Sequence, residues 1–199
     1  MFKSSKQRNV EFMGGKTQVA EEELSETIIG TLRQGGVEVS DSHSRAQLEG
    51  RGYGNKIGKR FYLYDYEALY LLYIGQLRVR KTKASEELTF ETLVKVALTR
   101  DADSWKRFLI YRDLRSRGYI VKDGFGFGID FRVYDRGDNG KKPAKYVVFA
   151  IEEGTEMPLQ HLNDNINQMA KMGKVPIIAV IERRGEVIYY RVSKTRFVK

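Results

Sequence analysis

Past Gly118 the apolar residues leave helical spacing and take up a period of two, and this change constrains the fold more than any other feature. Tyr119–Val121 and Asp130–Tyr134 (DFRVY) read as strands about a tight turn marked by Gly124, Gly126 and Gly128. Lys145–Glu152 (KYVVFAIE) reads as a long apolar strand. Val175–Ile181 is a nearly continuous apolar run, as a central strand buried on both faces requires. Pro158–Met172 predicts a helix between them, and Glu186–Val192 a last strand. The second half is therefore expected to be β-β-β-α-β-β, a mixed sheet with a helix packed on it.

The first half carries shorter signals. Glu21–Leu32 is weakly amphipathic, Val37–Val39 alternates like a strand, and Ser44–Leu48 suits a short helix. Residues 50–58 (GRGYGNKIG) hold four glycines and predict a turn-rich connector; their order is neither GxxxxGK[ST] nor GxGxxG, which argues against nucleotide binding. Phe61–Leu63 reads as a strand and Asp65 as the cap of a helix, DYEALYLLYIGQL, whose Tyr66, Tyr70 and Tyr73 suit packing better than base stacking. Thr89–Leu98 and Ser104–Arg117 predict two more helices. The latter has Ser104 as N-cap, Gly118 just past its end, and Trp105, Phe108, Leu109 and Leu114 on one buried face. This half is expected to be mainly helical, and residues 1–16 frayed or an edge strand. The charged stretch near 83–88 divides the chain into residues 1–85 and 86–199, for a fold of the α/β (α+β) class.

Composition removes several chemistries. The 199 residues include no cysteine and two histidines, His43 and His161. Disulfides, thiolate metal sites and a cysteine nucleophile are excluded, and a histidine metal site has few ligands to draw on. No apolar run approaches the roughly 18–20 residues of a membrane span. The start, MFKSSKQRNVEF, has no hydrophobic core of a signal peptide and predicts a cytoplasmic protein. Net charge is +9, with +1 in residues 1–103 and +8 in residues 104–199. Such asymmetry favours a polyanionic partner facing the second half, nucleic acid above all.

Two nuclease chemistries suit a basic chain of this size. A metal-dependent one needs an acidic residue on one strand and Glu-x-Lys on the next. Asp130 and Glu152 fit in part, but Gly154 stands where the lysine belongs. Metal-free RNA cleavage instead needs a base for the ribose 2′-OH, an acid for the leaving 5′-oxygen, and a cation for the phosphorane charge. Tyrosine, histidine and lysine can supply these.

The run Tyr111–Gly137 (YRDLRSRGYIVKDGFGFGIDFRVYDRG) resembles the catalytic-domain signature of archaeal tRNA-splicing endonucleases (tRNA-intron lyases). So do KYVVFAIEE, the helix after it and KVPIIAVIERRGEVIYYRVSKTRF. GYGNKIGKRFYLYDYEALYLLYIGQLRV resembles that family's N-terminal segment. The resemblance covers roughly residues 37–199 in collinear order. It implies a small α/β N-terminal domain, a mixed-sheet C-terminal domain, a tetramer of family subunits, and pre-tRNA cut at bulge–helix–bulge junctions without cofactor or metal. Carried over by position, the family's tyrosine is Tyr134 and its lysine Lys174, while its histidine position holds Pro143. The helix position of a base-stacking arginine holds Asn167, followed by Ala170-Lys171-Met172. The usually acidic last hairpin is Glu182-Arg183-Arg184-Gly185-Glu186, mixed in sign. These departures imply the structural subunit of a heterotetramer, which borrows the proton donor of a catalytic sister. Two other readings stay open: a catalytic subunit with a non-histidine acid, and a basic RNA-binding module without nuclease assembly.

Overall fold

The structure is a computed structural model that describes residue 24 and residues 26–82, 84–126, 128–135, 137–138 and 142–193. The expectation for residues 1–16 lies outside the described residues. Two five-stranded sheets are joined by helices. The first contains β1 (Ile28–Arg33), β2 (Gly36–Val39), β3 (Asn55–Ile57), β4 (Arg60–Leu63) and β5 (Leu77–Arg80), in the order β3-β4-β2-β1-β5. Around it run α1 (Ser42–Gly50), α2 (Asp65–Tyr73) and α3 (Phe90–Arg100).

This first half is richer in strand than its sequence suggests. Ile28–Arg33 is not helical: it pairs antiparallel with β2 and parallel with β5, and this sheet pairing overrides the weak helical spacing. The Leu-rich helix stops at Tyr73 because Gly75 takes φ +75°, which frees Leu77–Arg80 to form the parallel strand β5. Its cap is Tyr64 rather than Asp65, and the Glu67 carboxylate reaches back to accept the Tyr64 N–H at 3.0 Å. Tyr66 and Tyr70 are buried, while Tyr73 is exposed at the helix end.

The second half begins with α4 (Ser104–Ser116), followed by β6 (Ile120–Gly126), β7 (Ile129–Tyr134), β8 (Tyr146–Glu152), α5 (Leu159–Lys171), β9 (Val175–Ile181) and β10 (Val187–Arg191). The sheet order is β10-β9-β8-β7-β6. The β8–β9 pair is parallel, joined across α5, and the other pairs are antiparallel. A mixed sheet with a packed helix is thus what the chain forms. Asp103, not Ser104, caps α4; the buried Ser104 hydroxyl donates to Ala97 O at 3.1 Å instead. Gly118 ends that helix at φ +85°. Phe108, Leu109 and Leu114 are buried as expected, but Trp105 is 41% exposed. It sits in the first turn of α4, at the rim of the core.

One core serves both sheets. Tyr66 of α2 meets Tyr111 of α4 at 5.0 Å and Phe131 of β7 at 5.2 Å between ring centres. Arg115 of α4 lies 4.1 Å over the Tyr53 ring and donates to Arg51 O, tying the end of α1 to α4. Gly54 is the joint: its N–H donates to the buried Glu67 carboxylate, and its carbonyl accepts from Lys122 of β6 at 3.4 Å. It takes φ +72°, and a Cβ there would run into the Phe61 ring. Gly54→Ala is therefore expected to cost at least about 1–2 kcal/mol for the left-handed backbone, plus displacement of Phe61, read as a lower urea midpoint.

Candidate functional site

The second sheet brings the sequence-identified residues to one end of its three inner strands. Val133 pairs with Tyr146, and Tyr146 with Val175. Lys145 N–H donates to Val133 O, and Val175 N–H to Lys145 O, each at 3.1 Å. One step beyond, the backbone positions of Tyr134 at the end of β7, Lys145 just before β8 and Lys174 just before β9 follow in a single row. With strands about 4.8 Å apart, Tyr134 and Lys174 have Cα atoms about 10 Å from each other, with Lys145 between.

Each member has its own surroundings. Tyr134 is half-buried, and its phenol oxygen accepts from Arg132 Nη1 at 3.2 Å. Arg132 is held in turn by donating from Nε to Asp123 O at 2.7 Å. Lys174 is half-buried just ahead of β9. Lys145 donates to Asp135 at 3.2 Å and lies 5.0 Å from the Tyr146 ring centre. Its pKa is raised, first by the hydrogen bond to Tyr146 and then by that to Asp135.

Pro143 is exposed, two residues before Lys145. It has no proton to donate. His161 lies in the first turn of α5, about 15 Å of helix from its last turn, which leads to Lys174. His43 belongs to α1, beside the first sheet. Among the described residues, then, no imidazole is brought to the Tyr134–Lys174 row.

Beside Tyr134 opens a cleft of about 380 Å³, lined by Gly54, Asn55, Tyr64, Lys122, Arg132 and Tyr134. Sequence reasoning did not single out Lys122 or Arg132; their register pairing across β6 and β7 is the signal that joins them. Burial lowers the Lys122 pKa, and Glu67 behind it opposes the shift. Asp123 also reaches the cleft, but Arg107 pairs with its carboxylate. The cleft is therefore cationic.

The metal-nuclease pair is not assembled. The Asp130 carboxylate accepts the Ala150 N–H at 2.8 Å, so it serves the β7–β8 joint, and Glu152 is exposed at the far end of β8. Burial raises the Asp130 pKa, against the Ala150 hydrogen bond and Arg107. No group of three potential metal ligands occurs among the described residues. Asn167 is half-buried on α5, and the Glu182–Glu186 turn holds Arg183 and Arg184 exposed at its tip. No described helix is long and apolar enough to cross a membrane.

Fold and site together define a two-sheet α+β protein with a tyrosine–lysine row at one end of the inner strands of its mixed sheet and a cationic cleft beside it. Residues 104–189 match the tRNA intron endonuclease catalytic C-terminal domain, and residues 28–94 the N-terminal domain of that family. The tRNA-splicing endonuclease of Pyrococcus furiosus is 34% identical over 147 residues, 74% of this chain and 84% of that protein. The tRNA-splicing endonuclease of Methanococcus vannielii is 30% identical over 168 residues, 84% of this chain and 94% of its own. The chain belongs to the tRNA intron endonuclease family.

Proposed function

We propose that this chain is the structural subunit of a tRNA-splicing endonuclease, which excises introns from pre-tRNA at bulge–helix–bulge sites. In this reading the complex cuts without metal, leaving a 2′,3′-cyclic phosphate and a 5′-OH. The observation that carries the subunit assignment is Pro143. Tyr134 can take the 2′-OH proton and Lys174 can face the charged phosphorane, but the departing 5′-oxygen finds no imidazole. Lys145, within the row, has a raised pKa, and Arg132, bonded to the Tyr134 phenol, is a guanidinium; both are poor acids at neutral pH, which weighs against a self-sufficient active site.

The same surfaces suit a sister subunit. Ile188 and Tyr190 are 38% and 49% exposed on the edge strand β10, whose open backbone can accept another strand. The cationic cleft at Lys122 and Arg132 suits an acidic hairpin from a sister, whereas this chain's own hairpin, with Arg183 and Arg184 at its tip, is ill-suited to that reciprocal role.

A cleavage assay on bulge–helix–bulge RNA in chelator decides the matter. The chain alone should leave the RNA intact, and cutting should appear when a histidine-bearing sister is added. Robust cutting by the chain alone, lost in Tyr134→Phe, would instead establish a catalytic subunit. RNA binding by a monomer that no sister activates would establish a binding module.

A further inference from the structure

The only tryptophan of the chain faces a second cleft, far from the Tyr134 row. This cleft, about 480 Å³, lies between α4, the end of β8 and the β9–β10 hairpin. β8 separates it from Tyr146 by six residue steps, about 20 Å. Trp105 is backed by Phe108 at 5.1 Å and Phe90 at 6.5 Å, while Leu109 lies beneath. Arg112 and Arg184 stand at the walls, and neither forms an ion pair among the described residues. Lys106 and Arg183 also line the cleft but are paired with Asp103 and Glu153, which leaves the carboxylates of Glu152 and Glu182 to face the two arginines.

A bare anion does not suit this mixture, because the carboxylates repel it. An unpaired nucleotide does. Its base has a π-face for Trp105, its exocyclic amino group can donate to Glu152 or Glu182, and its phosphate can meet Arg184 and Arg112. Cytosine and adenine present an exocyclic amino group; uracil offers only a ring N–H flanked by two carbonyl oxygens, which the carboxylates repel. We propose that this cleft holds one unpaired, amino-bearing nucleotide of the RNA, as a recognition site separate from the cleavage row. The inference rests on the reading that RNA is the substrate, and not on which subunit cuts it.

Because emission from the full-length chain has one tryptophan source, fluorescence reports on this cleft directly. Titration with a 12-nucleotide oligo(C) should quench Trp105 saturably, at lower concentration than oligo(U), while heparin, a polyanion without bases, should bind without quenching. Anisotropy of labelled oligo(C) should show affinity falling between about fivefold and a hundredfold in Trp105→Ala, and less in Trp105→Phe, which keeps a ring in the core rim. Arg184→Ala, on an exposed hairpin tip, should lower the slope of log affinity against log salt by about one. RNA binding seen by anisotropy without quenching, or equal quenching by heparin, would overturn the proposal and leave the subunit assignment standing. So would loss of the RNA quench on adding a sister subunit that covers Trp105, since the cleft would then be a protein interface. Absence of any RNA binding would overturn this proposal together with the RNA-facing reading.

Discussion

Pro143→His is expected to raise metal-free cleavage of bulge–helix–bulge RNA by this chain alone by about 10²–10⁴-fold, the usual worth of a positioned general acid. The position suits the exchange. Pro143 is exposed, donates no backbone hydrogen bond, and precedes by two residues the Lys145 that stands between Tyr134 and Lys174. An imidazole there would enter from the β8 side of the row, with the phenol on one flank and the lysine on the other. The gain should be incomplete, because the resemblance implies a base-stacking arginine at the position of Asn167, which carries no guanidinium. Asn167→Arg in the same background should add about tenfold, and on the parent chain almost nothing. Single-turnover rates in chelator separate these contributions. Tyr134→Phe in the Pro143→His background should return the rate to the parent level. A folded Pro143→His protein with no gain would show that Tyr134 and Lys174 are not placed for the reaction, and the missing acid would not be the reason for silence.

Which parts of this were legible beforehand follows from how local each signal is. Val175–Ile181 carries its own burial pattern, so the central strand is found within its bounds, and the row at its N-terminal end follows once β7 and β8 are in register. Asn55–Ile57 shows no alternation because every residue of that strand is exposed. Leu77–Arg80 hides behind a Leu-rich helix that only the conformation of Gly75 interrupts. Trp105 has helical spacing to Phe108 and Leu109, and spacing cannot tell a core face from its rim. The Lys122–Arg132 pair needs the β6–β7 register, and the glycines of 50–58 acquire a reason only when Gly54 is seen between Glu67 and Lys122.

That joint should dominate the protein's response to pH. Glu67 is 1% exposed and accepts from Gly54 N–H at 3.0 Å and from Tyr64 N–H at 3.0 Å. Burial pushes its pKa up to about 7; the Tyr64 and Gly54 hydrogen bonds, then Lys122 and Arg115, pull the other way. The folded chain therefore keeps this proton up to about pH 7, whereas the unfolded chain releases it near the ordinary 4.5. Between those values the folded state binds more protons, so this group's contribution to stability declines as pH rises, by about 3 kcal/mol across the window. Below pH 4.5 the carboxyl is neutral in both states and the cost vanishes. Glu67→Gln should remove that slope, since the amide does not titrate, and its denaturation midpoints at pH 5 and pH 8 should differ by less than those of the parent. Glu67→Ala should do worse at every pH. It strands two partly buried N–H groups and leaves Lys122 and Arg115 facing a void, an expected loss of about 3–5 kcal/mol and a fall of roughly 10 °C in Tm. A parent and a Glu67→Gln protein with the same pH slope would show that the carboxylate stays ionised through this range, held by the cations beside it rather than neutralised by burial.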